Sequence, residues 1–181
     1  LDGVLISHGD NDHSGGAASV LDGVPVRWLL SSLPAQHPLL QQGTPTLRCY
    51  AGQNWSWDGV SFEVLHPSLD DYTEKRKSND RGCVLRIRAQ GNTLLLTADI
   101  EAKSERELLP RYADNFSANI LVVPHHGSRT SSSPAFVSAV HPQIAIFTVG
   151  YRNRFGHPRP EVVSRYAQLL ATLLQTDQTG A

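Results

Sequence analysis

The chain has 181 residues, 40% of them hydrophobic and 18% charged, and its 16 Lys and Arg against 17 Asp and Glu leave a formal net charge of -1. That length favours one domain with a core needing no staples, and the balance argues against disorder, a collagen-like repeat or a strongly basic nucleic-acid arm. A phosphate-binding surface must therefore be local, or must borrow positive charge from bound metal. No apolar run approaches the roughly 18 to 20 residues of a membrane-spanning helix, and the mean hydropathy is -0.27. The chain reads as a soluble piece, and its start at Leu1 with no Met anywhere reads as a fragment without its natural beginning.

Residues 1–7 (LDGVLIS) form an apolar run expected to be a buried strand that ends at His8. The stretch 14–23 (SGGAASVLDG) suits a short helix with Ser14 at a cap position and a closing Gly, and 26–31 returns as a strand. Pro34, Pro38 and Pro45 mark a loop with at most one helical turn. Short strands are expected at 46–51, 54–57 and 60–65, with Asp58-Gly59 as a hairpin turn, followed by a polar, exposed loop over 67–81. Strands 83–88 and 93–97 form a second hairpin around Gly91-Asn92, and a helix over 101–109 is stopped by Pro110. Strands at 120–123, 144–149 and 173–176 then alternate with helices at 134–140 and 161–170. This order fits α/β layers around mixed sheets. Cys49 and Cys83 either pair or stay buried thiols.

The densest chemical signal is His8-Gly9-Asp10-Asn11-Asp12-His13, directly after the first strand. A tight turn at Gly9 can bring His8 and Asp10 to one side while Asp12 and His13 face a second ion; the bland alternative is a polar loop in which Asp12 or Ser14 caps a helix. Asp99 closes the apolar stretch TLLLTAD. A carboxylate buried there is costly unless a cation or hydrogen bonds compensate, although it could instead cap the next helix. His125 and His126 sit in PHHGS after a further apolar strand, and adjacent histidines point differently, so one can bind metal while the other holds substrate, supports the site or packs. His157 lies in GYRNRFGHPRP, between a strand and a helix. These residues follow strand ends, where α/β folds place their ligands. No GxSxG elbow supports a serine nucleophile.

The segments SHGDNDHSGG, SNDRGCVLRI with LLLTADIE, VPHHGSRTSS, NRFGHPRPEV and the closing TDQTGA resemble the metallo-β-lactamase superfamily over essentially the whole chain. Within it they are most similar to the C-terminal domain of ComEC-type DNA-uptake proteins. The resemblance implies an α/β fold, a metallo-β-lactamase-like αββα sandwich, with a two-metal site between its sheets and with the opening strands of the fold absent before Leu1. It places His8 and Asp10 at one ion, Asp12 and His13 at the other, Asp99 between them, and His125 rather than His126 to complete the set. His66 is a weak counterpart of a further family histidine, and Ser78-Asn79 lies where the related pattern carries Asn. Catalytic roles fall to Asp12, Asp99 and His157. From the residues themselves, substrate contacts fall to His126, Ser128, Arg129, Arg152 and Arg154, with Lys75, Arg76, Lys77, Arg81 and Arg159 as further basic residues and Tyr151 and Phe155 as stacking groups; the alternatives are solvated surface charges and packing rings.

The implied cofactors are two divalent metal ions. Mn²⁺ is favoured because Asp10 hardens the donor set, with Zn²⁺ or Mg²⁺ as alternatives, and no small organic cofactor is expected. The implied activity is phosphodiester hydrolysis by metal-activated water, in a nuclease that degrades the DNA strand not taken up. The implied partners are single-stranded DNA, bound without sequence preference, and the membrane channel portion of a parent chain at the extracytoplasmic face of the bacterial inner membrane. The alternatives are hydrolysis of a small phosphodiester or ester, and a DNA-binding module without catalysis. A truncated sheet edge is expected to promote self-association.

Overall fold

Alternation of apolar residues along the strands fixes the layers. In the computed structural model, which describes residues 1–73 and 75–180, β1 (Gly3–Ile6), β2 (Trp28–Ser31) and β3 (Thr46–Arg48) make a parallel three-stranded sheet in the order β1-β2-β3. Val4, Ile6 and Leu29 face a helical layer containing α2 (Ala17–Gly23), while their neighbours Leu5 and Leu30 face the opposite way, into the space between two sheets.

The second sheet has seven strands: β4 (Asn54–Trp57), β5 (Val60–His66), β6 (Val84–Ala89), β7 (Asn92–Leu96), β8 (Ile120–Val122), β9 (Ile144–Phe147) and β10 (Thr172–Gln175). Its order is β10-β9-β8-β7-β6-β5-β4, antiparallel from β4 to β7 and parallel from β7 to β10. Leu85, Ile87 and Leu96 point to the first sheet, whereas Val84, Leu95, Leu121 and Phe147 pack with the helices α3 (Ala102–Tyr112), α4 (Pro134–Val140) and α5 (Pro160–Ala167). The result is the expected αββα sandwich, and each fully buried Leu, Val or Phe contributes about 1.5–3 kcal/mol to holding it. The inward-facing Ile120, Val122, Ile144 and Ile146 are only half-buried. Among the described residues no helix is long and apolar enough to cross a membrane.

Several local expectations are corrected. Ala89 pairs with Asn92, so the second hairpin turns on Gln90 (φ 49°) and Gly91 (φ 79°) rather than on Gly91-Asn92; a two-residue turn of this hand needs positive φ at both centres, which puts Gly91 second and returns Asn92 to the strand. The Asp58-Gly59 turn stands as read, with φ 45° and 80°. Helix α3 continues through Pro110 to Tyr112. The proline removes one donor near the helix end, where buried Leu108 and the stacking of Tyr112 on Phe116 hold the last turn. The helix expected over 14–23 divides into α1 (Asn11–Ser14) and α2, and the Ser14 hydroxyl donates back to the Gly9 and Asp10 carbonyls instead of capping. The loop over 67–81 is exposed only in part: Leu69, Asp70, Thr73, Lys75 and Lys77 face solvent, but the segment holds two short 3-10 turns, Leu69–Tyr72 and Asn79–Arg81, and buries Asp71 and Asp80. Cys49 and Cys83, left open by the sequence, are a disulfide that joins the end of β3 to the start of β6 with Cα atoms 6.2 Å apart.

Candidate metal centre

Three strand ends deliver the polar side chains. Beyond β1, His8 is 1% exposed, and the turn through Gly9 and Asp10 leads into α1, which carries Asp12 and His13. Asp99 follows β7 after Ala98, whose φ is 49°. After β8, His125 and His126 both adopt left-handed backbone conformations (φ 49° and 56°), followed by Gly127 at φ 80°. A Cβ on Gly127 would stand 2.7 Å from the Pro158 Cβ and 2.9 Å from the Phe147 Cδ1, so only glycine fits there. Consecutive left-handed non-glycine residues are costly and concentrate where a site needs side chains aimed.

These elements converge on Asp99. Its Oδ1 lies 3.1 Å from His13 Nε2 and its Oδ2 lies 3.3 Å from His126 Nε2. His126 Nε2 is also 3.2 Å from Asp12 Oδ2 and 3.3 Å from His13 Nε2, so Asp12, His13, Asp99 and His126 offer one donor atom each within 4.8 Å of one another. At longer range the same Oδ2 faces His8 Nε2 and His125 Nε2, both at 3.9 Å, and His8 Nε2 is 3.8 Å from Asp10 Oδ2. Asp99 thus lies within one close donor set with Asp12, His13 and His126, while His8, with Asp10 beside it, and His125 approach the same carboxylate from further out.

The outward-facing ring nitrogens are held in turn. His126 Nδ1 donates to the Thr148 carbonyl at 2.7 Å, which leaves Nε2 free to face Asp99. Ser7 Oγ is 3.1 Å from His8 Nδ1 and 3.4 Å from His13 Nδ1. His125 Nδ1 is 3.6 Å from Glu101 Oε1 and 3.4 Å from Thr130 Oγ1, which itself donates to Glu101. Such outer partners fix ring orientation in metal sites. Ser7, Glu101, Thr130 and Thr148 carry no ligand motif, and only their places beside the ligand residues or at strand ends single them out.

The donor set fits divalent metal. His8 Nε2 is buried without a hydrogen-bond partner while facing two carboxylates, an arrangement that a cation would complete. Burial, followed by His13, pushes the His8 pKa down and favours the neutral ring that metal binding requires. Burial alone would raise the Asp99 carboxyl, but hydrogen bonds from His126 and His13 outweigh it and hold the group well below the usual carboxylate range. The hydrogen bond with Asp99 lifts His126 to about 9.

The remaining sequence candidates lie around this centre. His157 is outside the four-residue cluster: its ring centroid is 5.9 Å from that of His125, it stacks on Phe155, and its Nδ1 is buried without a partner. Burial, then His125, lowers its pKa. It shares with Asp12, His13, His126, Thr148 and Phe155 the wall of a cavity of about 660 Å³. Ser128 is buried and turns its Oγ to Thr130 rather than toward Asp99. Arg129, Arg152 and Arg154 are exposed. The guanidinium of Arg152 lies over Tyr151 and that of Arg154 over Phe155, at 5.2 and 5.0 Å. His66 is not in this cluster: it is fully buried, with Nδ1 3.9 Å from Asp71 Oδ2 and Nε2 on the Asp80 carbonyl.

Residues 1–150 match the model of the metallo-beta-lactamase superfamily. The chain is 40% identical over its whole length to Competence protein ComA of Neisseria gonorrhoeae, covering 25% of that protein. It is 30% identical over 99% of its length to ComE operon protein 3 of Bacillus subtilis, covering 24% of it. It therefore spans about a quarter of the length of these curated relatives. Among solved structures it resembles CmlA, a diiron beta-hydroxylase from Streptomyces venezuelae, with a TM-score of 0.65 at 14% identity over 97% of this chain and 43% of that one.

Proposed function

The chain belongs to the metallo-beta-lactamase superfamily, and from that membership we propose that it is a metal-dependent phosphodiesterase that degrades single-stranded DNA without reading its sequence. The observation that carries this reading is Asp99, grouped with Asp12, His13 and His126 and faced by His8 and His125 at 3.9 Å. Its similarity to quarter-length portions of competence proteins supports DNA as the substrate. In that setting it is the nuclease part of a larger DNA-uptake protein, at the extracytoplasmic face of the inner membrane.

His8, Asp10 and His125 would hold one ion, Asp12, His13 and His126 the other, and Asp99 both. Three carboxylates among these donors favour Mn²⁺ over the softer demand of a histidine-rich zinc site. Bound there, two divalent cations would supply Lewis acidity to a phosphate oxygen and lower the pKa of water. The chain's own residues orient the reaction. The Thr148 carbonyl and Glu101 aim His126 and His125, and His157 stands at the cavity wall to hydrogen-bond a phosphate oxygen. Arg152 and Arg154 contact the backbone of the strand while Tyr151 and Phe155 stack on its bases.

The test compares single-stranded DNA, duplex DNA and bis-p-nitrophenyl phosphate under Mn²⁺, Zn²⁺, Mg²⁺ and chelator. Metal-dependent loss of single-stranded DNA is expected. Hydrolysis of the small ester alone would move the reading to a small-molecule phosphodiesterase, and DNA retardation without cutting would move it to a binding module.

A further inference from the structure

The end of β5, the segment that follows it and α3 bring together a second group of metal-type donors. His66, Asp71 and Glu107 each offer an atom within 4.8 Å of the others, and His66 is fully buried with Nδ1 unpartnered. A cation of the chain's own already stands between the carboxylates: Arg76 Nη2 is 2.8 Å from Asp71 Oδ1, and its Nη1 and Nη2 reach Glu107 at 2.9 and 3.1 Å. The Arg76 side chain is 7% exposed. A bidentate guanidinium buried on two carboxylates is a rigid fastening that lysine would reproduce only in part.

The second fastening lies four residues on. His66 Nε2 donates to the Asp80 carbonyl at 2.9 Å, and Ser104 Oγ donates to the same oxygen. Ser78 lies midway between these anchors, and its Oγ accepts the backbone N–H of Gly9 at 3.3 Å. Gly9 joins His8 to Asp10, the two residues placed at one ion above.

We infer that Arg76 is a positioning residue for the metal-binding turn: its clamp on Asp71 and Glu107, with the His66–Asp80 bond, presents Ser78 to Gly9 and so sets the spacing of His8 and Asp10. The consequence for metal rests on the centre proposed above, whereas the brace itself is a property of the metal-free chain.

The experiment uses Ser78→Ala, Arg76→Lys and Arg76→Ala in the full chain, with amide hydrogen exchange in chelator and calorimetric titration of Mn²⁺. Ser78→Ala removes one exposed acceptor, so its melting temperature should match that of the parent. Its Gly9 and Asp10 amides should exchange faster than in the parent, with those of β8 and β9 unchanged. One of the two ions should bind about tenfold more weakly, the scale of losing an outer partner. Arg76→Ala should reproduce both effects, Arg76→Lys should be intermediate, and added methylguanidinium should restore Arg76→Ala. A purely structural Arg76 would lower the melting temperature of Arg76→Ala while leaving its Gly9 exchange relative to β8 and β9 unchanged, and that result, or unchanged Gly9 exchange in Ser78→Ala, overturns the inference. If the unaltered chain takes up no ion, the metal centre falls and amide exchange alone decides the brace.

Discussion

His126 Nε2 stands 3.3 Å from Asp99 Oδ2 while the opposite edge of the same ring gives its hydrogen to the Thr148 carbonyl. With both ring nitrogens engaged by acceptors, the metal-free ring favours the imidazolium form and titrates at about 9. The folded value lies above the ordinary one of 6.5, so the stability this pairing contributes is fully present below pH 6.5 and is lost as pH rises through about 9. The chain in chelator is therefore expected to lose melting temperature between pH 7 and about 9.5, and His126→Asn should flatten that decline. Thermal melts across this range check it.

Glu101 is expected to matter through His125. Replacing it with Ala removes the carboxylate beside His125 Nδ1 and the acceptor of Thr130. Mn²⁺ affinity should fall about 10- to 100-fold with little change in melting temperature, as calorimetric titration of the variant would read.

Glu105 predicts the opposite pattern. It is fully buried on α3 and accepts the backbone N–H groups of Ser132 and Ser133, holding the loop behind PHHGS. Burial raises its carboxyl pKa above 4.5. A raised acid in the fold binds its proton more tightly than the unfolded chain does, so stability is highest below 4.5 and falls as pH rises through the folded value. Glu105→Gln should lose that slope, and Glu105→Ala should cost about 1–3 kcal/mol for each donor left unsatisfied. Chemical denaturation at several pH values separates the two.

On the loop bearing His157, Tyr151 and Phe155 are 75% and 58% exposed beneath arginines. Tyr151→Ala or Phe155→Ala should weaken single-stranded DNA binding by about 1–3 kcal/mol per lost stacking contact. Arg152→Ala or Arg154→Ala should reduce the salt dependence by about one unit of slope without changing sequence preference. Fluorescence anisotropy over a salt series reads both.

The layered fold and the groups around Asp99 were legible because each follows a short apolar strand, a pattern that local sequence carries. The division of labour between His125 and His126 was not. Two successive left-handed residues rotate the pair so that His126 Nε2, rather than that of His125, comes nearest Asp99. The charged segment over 67–81 reads as exposed, yet Arg76 pairs with Asp71 and with Glu107, which is 31 residues away and outside any local pattern. Pro110 reads as a stop in the sequence because the packing of Leu108 and Tyr112 that carries the helix past it is tertiary. For the same reason Glu101 and Thr148, which aim the two histidines, were invisible as site residues.

The most direct measurement follows end-labelled single-stranded DNA with the purified chain in Mn²⁺, beside Asp99→Ala and Asp12→Ala and with metal content determined for all three. If Asp99 joins the two donor sets, the unaltered chain should bind two ions and cut, and Asp99→Ala should lose both metal occupancy and about 10²- to 10³-fold or more of the rate. Cutting by Asp99→Ala at the parent rate, or full metal content in that variant, would contradict a centre built on Asp99.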